Sequence, residues 1–225
     1  MNRLDGKIAV VTGGTQGLGA AIARQFAEAG AAGIVICGRN REKGEAVAAS
    51  IAGTPVIFVP ADLAETDDAL AVIKAADGEF GRVDILVNAA GLTDRGTLID
   101  TTPELFDRMF AINTRAPFFL MQGAVKVMIR EGIEGAIVNI GSTSAMAGQP
   151  FIAPYCASKG GVEGLTQALA VSLGPEVRVN AIAPGWIVTE GWDDLRAVDH
   201  AQLYAKALRH SFLRRSRPRA PDRSM

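Results

Sequence analysis

Cysteine is scarce in this 225-residue chain: only Cys37 and Cys156 occur, enough for one bridge at most and without the paired C-x-x-C spacing of a metal site. A secreted disulfide scaffold is excluded. Histidine is equally scarce. His200 and His210 both lie in the last 26 residues, so a zinc centre or a Ser-His-Asp hydrolase would have to be assembled from the tail, and no metal site is expected. No apolar run reaches the roughly 18 residues of a membrane span. The opening Met1-Asn2-Arg3-Leu4-Asp5-Gly6-Lys7 leads into a strand pattern without the apolar core of a signal peptide. The expectation is a soluble cytoplasmic protein with no membrane partner.

Net charge is also lacking, at −1, which argues against an overall basic nucleic-acid binder. The total conceals a split. Residues 209–225 carry six arginines against the single acid Asp222, which leaves seventeen basic and twenty-three acidic side chains for the rest. An arginine tail could hold nucleic acid or acidic lipid, but Phe212 is its one aromatic stacking partner, so a solvated tail is the better reading.

What is present is an ordinary globular composition, 48% hydrophobic and 21% charged, on a chain long enough to bury roughly 70–75% of its unfolded surface. Short β-branched runs alternate with helical patterns along it. Strands are expected at 7–12, 33–37, 55–60, 83–88, 135–141 and 177–183, and helices at 17–30, 41–52, 65–79, 103–130 and 154–173. The strands read as nearly continuous apolar runs (IAVV, IVIC, VIFV, DILV, AIVNI, VRVNAIA), which fits burial on both faces. Such alternation means an α/β domain with a parallel sheet and right-handed crossovers. Thr102 followed by Pro103 is a helix start with a mechanism, a side-chain cap and then a residue whose missing N–H costs nothing. One domain over 1–210 is expected, followed by an irregular arginine-rich tail at 211–225.

Directly after the first strand comes Thr12-Gly13-Gly14-Thr15-Gln16-Gly17-Leu18-Gly19, a glycine-rich turn opening a helix. There the backbone can approach a dinucleotide's pyrophosphate, and the N–H groups and positive helix end stabilise the anion. At the end of the second strand, where an acidic side chain would hydrogen-bond the adenosine ribose of NAD, the chain has Gly38 followed by Arg39-Asn40-Arg41. No carboxylate repels a 2′-phosphate, and Arg39 can pair with one. NADP(H) is favoured and NAD(H) remains open.

The turn resembles the T-G-x-x-x-G-x-G motif of the short-chain dehydrogenase/reductase family. Other landmarks follow in the family's order: Asn88-Ala89-Ala90-Gly91, Asn113, Ser142, Tyr155-Cys156-Ala157-Ser158-Lys159 and Pro184-Gly185. The resemblance covers residues 7–189 and implies a Rossmann-like, doubly wound sheet. It implies an oxidoreductase that moves a hydride between a nicotinamide and a carbonyl or secondary alcohol. It places Gly13, Thr15, Gln16, Gly17, Leu18 and Gly19 at the pyrophosphate, with Asp62 and Leu63 at the adenine; Asp62 reads equally well as a helix cap. Asn88, Ala89 and Gly91 would flank the cofactor, although Ala89 departs from the family's frequent second asparagine. Pro184, Gly185, Ile187 and Thr189 would hold the nicotinamide end.

Tyr155 and Lys159, four apart, share a helix face. A phenol titrating near 10 exchanges protons poorly at neutral pH; a neighbouring ammonium together with an oxidised nicotinamide would favour phenolate by roughly 3–4 kcal/mol. In the family the tyrosine is the general acid or base and the lysine also binds the nicotinamide ribose. Ser142 would hold the substrate oxygen, with Thr143 and Ser144 as alternatives. Asn113 has a physical argument of its own. Pro117 has no N–H, so in a helix the Asn113 carbonyl lacks its partner four residues on and can hold a water, the family's proton relay; a plain helix start at Pro117 is the other reading. Cys156, turned about 100° around the helix from Tyr155, reads as packing.

Substrate contacts are expected from 93–97, 146–151 and 186–192, which leave a small ketone, a polyol and a carrier-linked 3-oxoacyl chain all open. Members of the family normally continue with a further helix, a seventh strand and a glycine-containing turn. The 211–225 segment shows none of these, so the expectation is six strands, an altered C-terminus and doubt over the family's usual homo-oligomer. The rival functional reading is a catalytically weak NAD(P)-binding module.

Overall fold

The computed structural model describes residues 4–93 and 98–189. The arginine tail, both histidines and the 94–97 and 190–192 parts of the expected substrate segments lie outside the described residues, as does the whole second compact unit, Gly191–Met225.

Six strands form one parallel sheet: β1 (Ile8–Thr12), β2 (Gly33–Gly38), β3 (Val56–Pro60), β4 (Ile85–Asn88), β5 (Gly135–Ile140) and β6 (Val177–Ile182). Their order is β3-β2-β1-β4-β5-β6, with β1 paired to β2 on one side and β4 on the other. The crossovers are α1 (Gly17–Glu28), α2 (Arg41–Ser50), α3 (Thr66–Phe80), α4 (Pro103–Phe110) running through a π turn (Ala111–Arg115) into α5 (Ala116–Arg130), then α6 (Thr143–Ala147) and α7 (Ala153–Leu173). This is the expected Rossmann-like architecture.

The apolar runs work because adjacent strand residues enter two different cores. Val11, Ile34, Ile36 and Val87 pack with Ala20, Ala23 and Val47 of α1 and α2. Their neighbours Val10, Val35 and Leu86, with Ile137, pack with Val72 of α3 and Leu120 and Met121 of α5. Each fully buried Ile, Leu or Val contributes about 1.5–3 kcal/mol. β6 departs from the expectation of two buried faces. Val177 and Val179 are buried while Arg178, Asn180 and Ile182 are exposed, because among the described residues helix covers only one face of that strand. Lys7 and Arg82 close on the buried carboxylate of Asp84, which also accepts the Ile8 N–H at 3.0 Å.

Thr102 caps α4 through the Leu105 N–H at 3.2 Å, with Pro103 in the first turn. The stretch 103–130 is helical, but not uniformly α. At the π turn the Ala116 N–H bonds the Ala111 carbonyl five residues back, and the wider turn accommodates Pro117, whose ring would collide with a carbonyl four residues earlier in regular helix. A helix start at Pro117 is therefore excluded: helix runs unbroken through it. The short helix α6 lacks a sequence signal strong enough to anticipate.

Candidate active site

The order of the sheet reverses at β1, and a crevice opens beyond the carboxyl ends of β1, β2 and β4, where such folds bind their ligands. Its floor is the glycine turn. Gly13 has φ +69°, and a Cβ there would stand 2.9 Å from the Ala90 Cα, backbone against backbone. A Cβ on Gly19 would run into the Gly13 carbonyl. The hydroxyl of Thr12 accepts the N–H groups of Ala89 and Ala90 at 3.1 and 3.0 Å, tying the turn to the end of β4. No side chain caps the start of α1.

The cleft so formed has a volume of about 320 Å³. Gly13, Thr15, Gln16, Gly17, Leu18 and Gly19 all line it. Farther round stand Arg39, Asp62 and Leu63, and on the other wall Ala89, Gly91 and Thr189. Gly38, Ala61, Ala90, Leu92 and Ile112 line it as well. Of these, Ile112 carried no sequence signal, since only the π turn brings it there. A larger groove of about 610 Å³, lined by residues such as Phe110, Phe118 and Leu165, shares no lining residue with the cleft.

Three expected cofactor residues are placed differently from their neighbours. Asn40 caps α2, its side chain accepting the Lys43 N–H at 2.9 Å. Asn88 does not line the cleft; it is 3% exposed and its amide donates to Asn139 Oδ1 at 2.8 Å. Asp62 lines the cleft without capping α3, whose N-cap is Glu65; it accepts the Ala64 N–H at 3.0 Å and pairs with Arg108 at 3.2 Å. Lys43, which the sequence did not single out, reaches across to Gln16 Oε1 at 2.9 Å. It brings a second cation to the rim that holds Arg39.

β5 leads to Ser142, and α7 carries Tyr155 and Lys159; none of the three lines the cleft, but Lys159 reaches its lining residue Gly91. Ser142 caps α6, accepting the Ser144 N–H at 3.2 Å and sharing a 2.7 Å hydroxyl contact with Ser144. The Tyr155 phenol lies close enough to Ser142 for the serine hydroxyl to favour the phenolate. Thr143 instead turns to the Pro184 carbonyl through both its N–H (3.1 Å) and its hydroxyl (3.3 Å). That bond anchors the segment containing Gly185 and Ile187, which ends with Thr189 against Gly17.

Lys159 is 4% exposed and donates to the Ile140 carbonyl at 2.7 Å; burial pushes its ammonium down to about 8. Burial also pushes the Tyr155 phenol up, against the opposing influence of Ser142. Desolvation of the phenol is the larger effect in the chain alone, where the Lys159 ammonium is engaged by Ile140.

Asn113 is fully buried, with its side chain hydrogen-bonded on both atoms. Its amide exchanges two 2.8 Å bonds with the main chain of Leu92 and donates to Ser158 at 2.9 Å. Gly91 stands where Asn113 and Lys159 converge: a Cβ on it would lie 3.4 Å from Lys159 Nζ and 3.5 Å from Asn113 Oδ1.

The sequence profile described as short chain dehydrogenase matches residues 7–199. The chain belongs to the short-chain dehydrogenase/reductase family. It is 38% identical over 194 residues to a galactitol 2-dehydrogenase of Agrobacterium fabrum, covering 85% of this chain and 74% of that one. It is 37% identical over 202 residues to an NADP-dependent (R)-specific alcohol dehydrogenase of Lentilactobacillus kefiri, covering 88% and 80%. A crystal structure of a protein assigned as a short-chain alcohol dehydrogenase from Sinorhizobium meliloti 1021 matches with a TM-score of 0.79 and 35% identity, over 87% of this chain and 79% of that one. This short-chain dehydrogenase is thus an NAD(P)-dependent enzyme acting on CH–OH or C=O groups of a small molecule. Among the described residues no group of His, Cys, Asp and Glu could hold a metal ion, and no helix is long and apolar enough to cross a membrane.

Proposed function

We propose that the chain is an NADP(H)-preferring carbonyl reductase or alcohol dehydrogenase in which Tyr155 is the general acid or base. The observation that carries this is the convergence of buried Lys159 and Asn113 on Gly91, a residue of the glycine-floored cleft, with Ser142 influencing the Tyr155 phenol four residues before Lys159. The cleft suits a dinucleotide because the backbone approach at Gly13 and Gly19 leaves no room for a side chain. A bound nicotinamide supplies the hydride acceptor or donor.

The chain's own groups do the rest. Gly13 to Gly19 and the start of α1 bind the pyrophosphate, Asp62 and Leu63 flank the adenine, and the 184–189 segment with Ile187 and Thr189 borders the nicotinamide end. Ser142 holds the substrate oxygen and stabilises negative charge on it. Tyr155 gives that oxygen a proton in reduction and takes one in oxidation. Lys159 holds positive charge next to Gly91, and Asn113 fixes the main chain of Leu92 beside it.

The NADP(H) preference rests on Arg39 at the cleft rim, the absence of a carboxylate at Gly38, and Lys43 in the first turn of α2. The relative named as NADP-dependent supports it. The test is turnover of NADPH with a panel of diketones and sugars. Tyr155→Phe is expected to lower kcat by about 10²–10⁴ while NADPH binding, followed by fluorescence, is retained. Undiminished turnover in that variant refutes the mechanism, and binding without turnover in the wild type favours a nucleotide-binding module.

A further inference from the structure

The substrate side of the site has an uneven chemistry. Between Ser142 and Ser158 no residue is charged, nor is any between Ala183 and Thr189. Instead, large apolar side chains stand exposed: Met146 at 67%, Phe151 at 57% and Trp186 at 60%. Each is joined to the Ser142–Tyr155 pair by a short path. Met146 lies on α6, the helix that Ser142 caps. Phe151 immediately precedes the start of α7, four residues before Tyr155. Trp186 follows Pro184, whose carbonyl takes both donors of Thr143.

Phe151 adds an independent observation. Its φ of 67° makes it the one non-glycine residue with a left-handed backbone among those described, a conformation that costs free energy for a residue with a bulky side chain. Such outliers cluster where a ligand is clamped, and this one leaves an aromatic ring exposed four residues before Tyr155 rather than burying it in the core.

We propose that the substrate half of the site takes the apolar, ring-sized flank of a ketone or secondary alcohol, with Met146, Phe151 and Trp186 as the residues that select it. The proposal rests on the oxidoreductase reading above. The three exposed apolar side chains offer a phenyl-sized group burial worth roughly two decades in kcat/KM, which a hydroxyl-rich carbonyl does not gain. A phosphate or carboxylate on the flank meets no cation among the described residues of the two segments.

The experiment measures kcat/KM with saturating NADPH for acetophenone and dihydroxyacetone, and with NADP⁺ for 1-phenylethanol and sorbitol. The aromatic member of each pair is expected to be favoured by about a hundredfold. In Met146→Ser and Phe151→Ser that ratio is expected to fall about tenfold, mainly through KM of the aromatic substrate, and Met146→Leu is expected to restore it. Both side chains are exposed, so the variants leave the core intact; retained NADPH binding checks that they fold. A ratio near or below one in the wild type, with the polar substrates turned over, overturns the proposal and leaves the oxidoreductase reading standing. Turnover of none of the four, with NADPH bound, removes that reading and the proposal with it.

Discussion

Replacing Lys159 by methionine tests the electrostatics of the site through stability rather than turnover. The lysine is 4% exposed and its ammonium is held down from 10.5 to about 8, with burial as the cause. At about 1.4 kcal/mol per tenfold change, that depression corresponds to roughly 3 kcal/mol of folding free energy that the charged lysine opposes. The sign follows from proton binding. Between pH 8 and 10.5 the unfolded chain still carries the proton and the folded chain does not, so stability rises with pH across that window. Below pH 8 both states are charged and the cost is present in full.

Methionine has the length and the apolar character of the lysine stem but no titrating group. The unfolding free energy of the wild type minus that of Lys159→Met should therefore rise by about 3 kcal/mol from pH 7 to 10.5, most of it before pH 10, where tyrosines begin to titrate. Urea unfolding of both proteins in parallel, at matched protein concentration and without nucleotide, reads this directly, since other groups cancel in the difference. A difference that stays flat or falls with pH refutes the buried-ammonium account.

Arg39→Ala is expected to weaken NADPH by about 1.5–3 kcal/mol, the worth of a charged hydrogen bond, or about ten- to a hundredfold; titration with NADH should show little change, and equal losses refute the 2′-phosphate assignment. Gly13→Ala forces a side chain into a left-handed residue at a cost of about 1–2 kcal/mol and against the Ala90 backbone at 2.9 Å. Denaturant melts should show a loss above about 2 kcal/mol, with NADPH affinity reduced as the turn shifts. Asp84→Asn is expected to cost about 1–3 kcal/mol at pH 7. Burial opposes the Asp84 charge, but Arg82, the Ile8 N–H and Lys7 outweigh it and hold the carboxyl below 3.8. The gap between wild type and variant should be constant above pH 4 and close as pH falls through that lowered value.

The strands were legible because Val10 and Val11, or Val35 and Ile36, must each satisfy a separate core, and only a sheet covered on both sides accepts such runs. β6 was misread for the same reason: its apolar string looks like the others, but which face is covered depends on partners that sequence alternation does not report. The glycine turn was legible because close backbone approach excludes every other residue type, as the Ala90 and Gly13 contacts show. Lys43 was not, because a lysine in the first turn of a helix carries no signal of the Gln16 side chain it reaches. The burial of Tyr155 was not legible either. Spacing on a helix states that Tyr155 and Lys159 share a face, but the depth of burial and the bond from Lys159 to Ile140 belong to the tertiary structure.

The π turn at 111–115 closes its ring one residue later than an α turn. Helix on either side meets the core in the ordinary way, through Met109 before it and Leu120 and Met121 after it. The additional residue makes room for Pro117 and also acts at the site, where Asn113 stands in for a neighbouring strand by giving and taking one main-chain bond with Leu92. Function and stability are written there in different registers of the same helix. Shortening the turn by one residue would set the Pro117 ring against the carbonyl four residues before it and uncouple the main chain after β4 from α7.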